Sequence, residues 1–405
     1  MSTRQWLRLF VRRQVCGTRP SGPALIRSCF LLLLAANSAG VVSAGIRPSF
    51  SLDQESWDAT DIVVVKTTTD DATFEVVQPL KGGCIAGEKV FVPELRPEAD
   101  ALPISEYPTD YVGLLQNSLS TKIPRVSLGS EIVLFLKRQA ALASSGQRAH
   151  GIAWAPADLL GSMKASAVWI DGDRLRVFIQ LVNPGPSELS ELWQIDRANG
   201  KRKLEPMSEQ SLKARVAEIV QIQEDVGAIV AITDPGERAI RLKPYVNGDI
   251  NPARRLALQR LRECGVPALS TIRSMLDDAS FQPELDDLLP IYAEIGRDTV
   301  ADDLDKRLKV EVAFWEANGP VLKAGWRSQF GDTSTQAASR EFRITHELLV
   351  GLQKTSFLPA LNTATNLRVL WLSLPQLNDG IQVDEILQDC DELIRHLQSK
   401  PPTGY

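Results

Sequence analysis

Histidine is scarce in this 405-residue chain, which carries only His150, His346 and His396. Few sites for imidazole chemistry can be assembled from three such residues. His346-Glu347 begins like the zinc-protease helix motif, but the position four residues on is Val350, so the second ligand on that helical face is missing. Neither His150 nor His396 has a cysteine or acid at ligand spacing. Cysteine is also sparse. Five are present, two of them in the first 30 residues, and Cys84, Cys264 and Cys390 are too scattered for a disulfide framework or a Cys-x-x-Cys site. They read as small buried hydrophobes. No Gly-x-Ser-x-Gly elbow, phosphate loop or dinucleotide-binding glycine signature occurs, so the cheapest support for serine-hydrolase, nucleotide and dinucleotide readings is lacking.

Basic charge is short too, once the N-terminus is set aside. Residues 1–44 hold six arginines and no acid, then the apolar run Phe30 to Ala36 and the small residues of Val42-Ser43-Ala44. That order matches a secretory signal peptide cleaved after Ala44. The apolar run is shorter than the roughly 20 residues needed to span a bilayer. Removing those six arginines leaves 39 Lys plus Arg against 50 Asp plus Glu, a formal charge of −11. Such a surface repels phosphate backbones, which speaks against nucleic acid as a partner. Nothing further along is apolar for long enough to enter a membrane, so the expectation is a secreted or periplasmic protein of the cell envelope.

What the chain does have is two kinds of periodicity. Between about residues 57 and 182, short β-rich runs alternate with turns: Asp61 to Lys66, Thr73 to Gln78, Glu88 to Val92, Glu131 to Lys137, Gly151 to Ala155, Ala165 to Ile170 and Arg174 to Val182. Asp171-Gly-Asp173 suits a tight hairpin. The absence of intervening helices favours an antiparallel barrel or sandwich. Residues 96–128, rich in proline and serine, read as a long excursion. From Ser208 the spacing of Leu212, Val216, Ile219, Val226 and Val230 predicts a long amphipathic helix ending at Thr233-Asp-Pro-Gly236.

Further helices are predicted at Pro252 to Glu263, from Pro267, at Pro283 to Ile295, Asp298 to Trp315, Arg340 to Gln353, Pro359 to Leu374 and Val383 to Gln398. Superposing Gly265 on Gly296 brings Leu258 onto Leu289 and Leu269 onto Val300, a weak repeat of 31 residues that predicts stacked helical pairs.

The segments Asp61-Ile-Val-Val-Val, Thr73-Phe-Glu-Val-Val, Leu80-Lys-Gly82 and Leu128 to Leu136 resemble OB-barrel modules of the netrin/tissue-inhibitor-of-metalloprotease type. The helical part resembles HEAT-like repeats, and the combination is similar to exported bacterial proteins that join the two. The resemblance implies an α+β, two-domain fold: signal peptide 1–44, an antiparallel OB-like β-barrel over 45–190, a connecting amphipathic helix over 191–235, and a HEAT-like α-helical stack over 236–405. The inhibitors act through a cysteine at the mature N-terminus. Here that terminus would be Gly45-Ile-Arg-Pro, so their mechanism does not carry over.

Of the acids, Asp298, Asp302 and Asp305 share one helical face. Their simplest role is to complement the positive end of a helix. Phe314, Trp315 and Trp326 are expected around a helix break at Asn318-Gly-Pro320, and Trp326 with Arg327 forms the candidate partner-binding pair. No catalytic residue, cofactor or metal is expected. The expected role is non-catalytic: a helical-repeat surface offered to a protein or peptide. The rivals are an envelope hydrolase bringing Asp302 or Glu311 to His346 by folding, and a protease inhibitor acting through residues 96–128.

Overall fold

In the computed structural model, which describes residues 50–92, 95–97, 99, 103–104, 123, 125–138, 154–156, 167–180, 187–196, 203–325, 333–374 and 381–399, the first element is the short helix α1 (Leu52–Asp58). Ser51 caps it by accepting from the Gln54 amide, and Asp53 and Glu55 lie in its positive first turn. The chain then enters the run foreseen as β. Strand β1 (Asp61–Thr67) pairs antiparallel with β2 (Thr73–Lys81), which pairs with β3 (Lys89–Phe91). On its other side β1 pairs with β4 (Glu131–Arg138). Beyond it follow β6 (Ala167–Asp171), β7 (Arg174–Gln180) and β8 (Ser187–Glu191), while β5 (Trp154–Pro156) also pairs with β4.

Five consecutive residues of β1, Asp61 to Val65, are buried, so this strand is covered on both faces. Register explains how the two cores divide. Val63 faces Leu134 and Val65 faces Ile132, while the alternate pairs Ile62 with Phe135 and Val64 with Val133 point the other way. The first set continues through Phe74, Val90 and Trp169 into one core. The second is met by Phe50, whose ring stands edge-on to Phe135 at 5.6 Å. Lys81 Nζ donates to the Ser56 and Trp57 carbonyls at the end of α1 (2.7 and 3.2 Å), tying helix to strand. The sheet path runs from β3 to β8, and among the described residues no strand pair joins those two edges. The barrel closure expected from the sequence is therefore not seen in the described part, where the sheet is open.

After β8 comes a small hairpin, β9 (Trp193–Asp196) with β10 (Lys203–Pro206), inside a span expected to be connecting helix. The helix itself, α2 (Glu209–Val230), starts one residue after Ser208. The chain divides into two compact units between Lys213 and Ala214.

In the second unit α2 is followed by α3 (Pro235–Val246), α4 (Asn251–Cys264), α5 (Leu269–Leu276), α6 (Leu285–Gly296), α7 (Ala301–Gly325), α8 (Thr333–Gln353), α9 (Ala360–Ser373) and α10 (Ile381–Gln398). Helix α3 was not foreseen. Asp234 caps it by accepting from the Glu237 amide at 2.7 Å, and Pro235 takes the first position, so the supposed breaker is a helix start.

The helices form two layers. Helices two places apart in the chain meet side by side: Lys243 of α3 reaches Ser274 of α5, Arg273 of α5 pairs with Asp303 of α7, and Asp305 of α7 accepts from Thr363 of α9. That makes α3, α5, α7 and α9 one layer. Likewise Arg262 of α4 pairs with Glu294 of α6, Arg343 of α8 with Asp286 of α6, and His346 of α8 with Asp389 of α10, which makes α4, α6, α8 and α10 the other. Four helical hairpins stack side by side on one shared core. Among the first hairpins the bonds Lys243 to Ser274 and Arg307 to Leu276 span 31 residues, the period read from the sequence. From α7 onward the helices lengthen and the period is lost; Asp305 to Thr363 spans 58.

Candidate functional site: the two faces of the helical stack

A two-layer stack has an interior where polar groups must be paired and two outer faces where side chains are free to meet a partner. The sequence-predicted residues that the structure describes in the stack belong to one of these places. Glu311 lies on the stripe Leu304, Leu308, Glu311, Trp315 of α7 and is buried with its neighbours. The Glu341 carboxyl of α8 stands beside it and shares a hydrogen bond. Thr345, one turn along α8, donates to the Glu341 carbonyl at 2.8 Å and accepts from Trp315 Nε1 at 3.0 Å. Burial first, and the Glu341 carboxylate second, push the Glu311 carboxyl up to about 8. At neutral pH the acid pair therefore holds a proton, which lets two carboxyl groups sit together out of water. Glu341, Thr345 and Arg340 were not singled out from the sequence. A signal existed: Glu341 and Thr345 share a stripe with the buried Leu348 and Leu352, where charge is unexpected.

His346 is next to Thr345 in the chain but turns toward α10. Its Nδ1 donates to Asp389 Oδ2 at 2.6 Å, and that bond is the main cause of a raised His346 pKa. Asp302 lies at the surface, paired with Lys306 at 2.6 Å. Asp302, Glu311 and His346 thus take separate partners and share no cleft. Asp298 accepts from the Ser356 amide, Asp305 from Thr363 and Lys309, so with Lys306 on Asp302 the three acids of this face share no partner. Among the described residues no group of three or more His, Cys, Asp or Glu is placed to hold a metal ion. Cys84, Cys264 and Cys390 are buried and form no disulfide; burial pushes Cys390 up to about 12, so it is protonated and inert. Asp171-Gly172-Asp173 forms the foreseen hairpin, with Gly172 at φ +65° and Asp171 paired to Arg176.

The helix break expected at Asn318-Gly-Pro320 is absent: α7 continues to Gly325. Pro320 leaves one carbonyl without its usual donor, yet Asn318 Nδ2 bonds the Phe314 carbonyl at 2.9 Å in the preceding turn. Gly319 serves close approach, since a Cβ there would lie 2.9 Å from Leu374 Cδ2. Trp315 is packed where the layers meet, its ring 5.1 Å from that of Trp371 and 5.2 Å from Phe314. Trp326 and Arg327, the predicted partner-binding pair, lie outside the described residues, as do His150, residues 1–44 and most of residues 96–128.

The outer faces differ. On the first layer Ile240, Val310, Val369 and Leu372 are exposed at 64, 66, 60 and 56%. On α4, α6, α8 and α10 of the second layer no large apolar side chain among the described residues is exposed. That face instead shows residues such as Gln259, Glu294, Arg343 and Arg395. Comparison with protein-family models, with curated proteins and with solved structures gave no match. Among the described residues no helix is long and apolar enough to cross a membrane.

Proposed function

We propose that the chain is a non-catalytic exported protein of the cell envelope that binds a protein or peptide partner on the first layer of its helical stack. The observation that carries this reading is the asymmetry of the stack: apolar side chains are exposed on α3, α7 and α9, and the opposite face is polar. Exposed apolar side chains in water are the usual substance of a docking surface. The pairing of Glu311, Asp302 and His346 with separate partners also favours binding over hydrolysis. An OB-like relationship for the sheet, a HEAT-like one for the stack, and export through residues 1–44 belong to this reading on the strength of the sequence resemblance.

The test is affinity capture from the native cell envelope with the wild-type protein and with a Val310→Asp, Val369→Asp, Leu372→Asp variant. A partner retained by wild type and lost by the variant, with the variant's helical content unchanged, supports the proposal. Identical captured sets overturn it.

A further inference from the structure

One end of the first unit's sheet carries a cavity of about 250 Å3. It opens where the turn between β1 and β2, the segment after β3 and the approach to β4 converge. Phe74, Leu95, Ile123, Ile132 and Trp169, all buried, form its apolar floor and walls. Thr67, Thr68, Thr69 and Asp71 are the polar groups among the residues that line it.

The chemistry of that polar side is one-sided. Thr67 commits its hydroxyl proton to the Ser127 carbonyl at 2.8 Å, and Thr68 commits its own to the Thr73 carbonyl at 2.7 Å. With their protons placed, both hydroxyl oxygens can act only as acceptors; that of Thr68 already accepts from the Asp70 amide at 3.3 Å and keeps one lone pair. Asp71 adds a carboxylate, and among the described residues no lysine, arginine or histidine lines the cavity. Three cations stand next in sequence to lining residues, and each has a partner: Lys66 pairs with Glu131, Arg96 with Asp70, and Arg125 donates to the Ala99 carbonyl. Acceptors and negative charge at the mouth of an apolar hollow select a donor-rich cationic head on an apolar body.

We propose that this cavity binds a small amine, with its hydrocarbon body against Phe74 and Trp169 and its ammonium group at Asp71 and the Thr67 and Thr68 hydroxyls. A cavity near 150 Å3 holds a benzene, so this one has room for a body of roughly six to ten carbons. This site is separate from the partner surface proposed above and does not depend on it.

Calorimetric titration of the purified protein with butylamine, hexylamine and octylamine, and with the alcohols and carboxylates of the same lengths, tests it. Affinity is expected to rise about threefold to fourfold per added methylene. The amine is expected to bind about tenfold or more tightly than the carboxylate of equal length. Asp71→Asn should bring amine and alcohol to within about threefold of each other while leaving the chain-length dependence intact. Val126→Trp, which fills the cavity from its wall, should abolish binding of the whole series, and Trp169→Phe should remove the change in tryptophan emission that octylamine produces. Far-ultraviolet circular dichroism reports whether each variant is folded. Absence of binding by any amine, carboxylates binding as tightly as amines, or a folded Val126→Trp variant with unchanged affinity overturns the assignment.

Discussion

At the scale of single residues, backbone geometry makes the sharpest claims. Arg297 sits at φ +46°, a conformation that a side chain rarely tolerates and glycine adopts freely. The repeat read from the sequence aligned Gly265 with Gly296, and Gly265 indeed turns at φ +64° after α4. In the second copy α6 includes Gly296, whose Cα is crowded by Val300, and the turn falls one residue later on Arg297. Pairwise superposition sees residue types and misses a one-residue shift in where a helix ends. Arg297→Gly is accordingly expected to raise stability by about 1 kcal/mol in urea denaturation. Gly82 makes the opposite case. It adopts φ +90°, and a Cβ there would overlap Asp61 Oδ1 and the Thr60 carbonyl. Gly82→Ala should cost about 2 to 3 kcal/mol by the same measurement.

Glu311 supplies a pH dependence at this scale. Its folded-state pKa is raised to about 8, above the usual glutamate value, so the folded protein holds a proton that the unfolded chain releases. The extra stability is complete below the unfolded value and disappears as pH rises toward about 8. A fall on the order of 2 kcal/mol is expected between about pH 5 and about pH 8. Glu311→Gln keeps the shape of the protonated acid, and its stability should be flatter across that interval in parallel denaturation series.

At the scale of elements, the strands were legible because alternation and β-branched runs mark them. Five of the predicted strands overlap β1, β2, β4, β6 and β7 closely, and Glu88 to Val92 and Gly151 to Ala155 touch the shorter β3 and β5. Strands β8, β9 and β10 were missed, since Ser187–Glu191 and Lys203–Pro206 alternate weakly and carry charged or prolyl residues. Proline misled in both directions. Pro235 begins a helix after an Asp cap, and Pro320 lies within one. The contacts that join hairpins are long-range and left no local signature. Arg307 of α7 is the fullest example: it donates to the Leu276 carbonyl at 3.2 Å and pairs with Asp277 and Asp303. It thereby satisfies the C-terminal end of α5 while fixing the spacing between hairpins. Arg307→Ala should lower stability by about 1 to 2 kcal/mol, with faster amide exchange in α5 measured by mass spectrometry.

At the scale of the whole molecule, a β part followed by a helical part was readable from the change in period after Ser187, with the sheet expected to end near residue 190 and the stack to begin near 236; contacts divide the chain between Lys213 and Ala214. Layering was only half readable. A 31-residue offset announces stacking, but which helices face solvent depends on which sides their neighbours cover. The exposed apolar side chains of α7 and α9 emerge only once α5 and α8 are in place beside them. The most direct measurement is site-specific photo-crosslinking in the native envelope, with a photoreactive phenylalanine in place of Val310 or Val369 on one layer, and of Gln259 or Gln388 on the other. A partner captured from positions 310 and 369 and not from 259 and 388 is the predicted result. Crosslinks that are equal from both layers, or confined to the second, would contradict it.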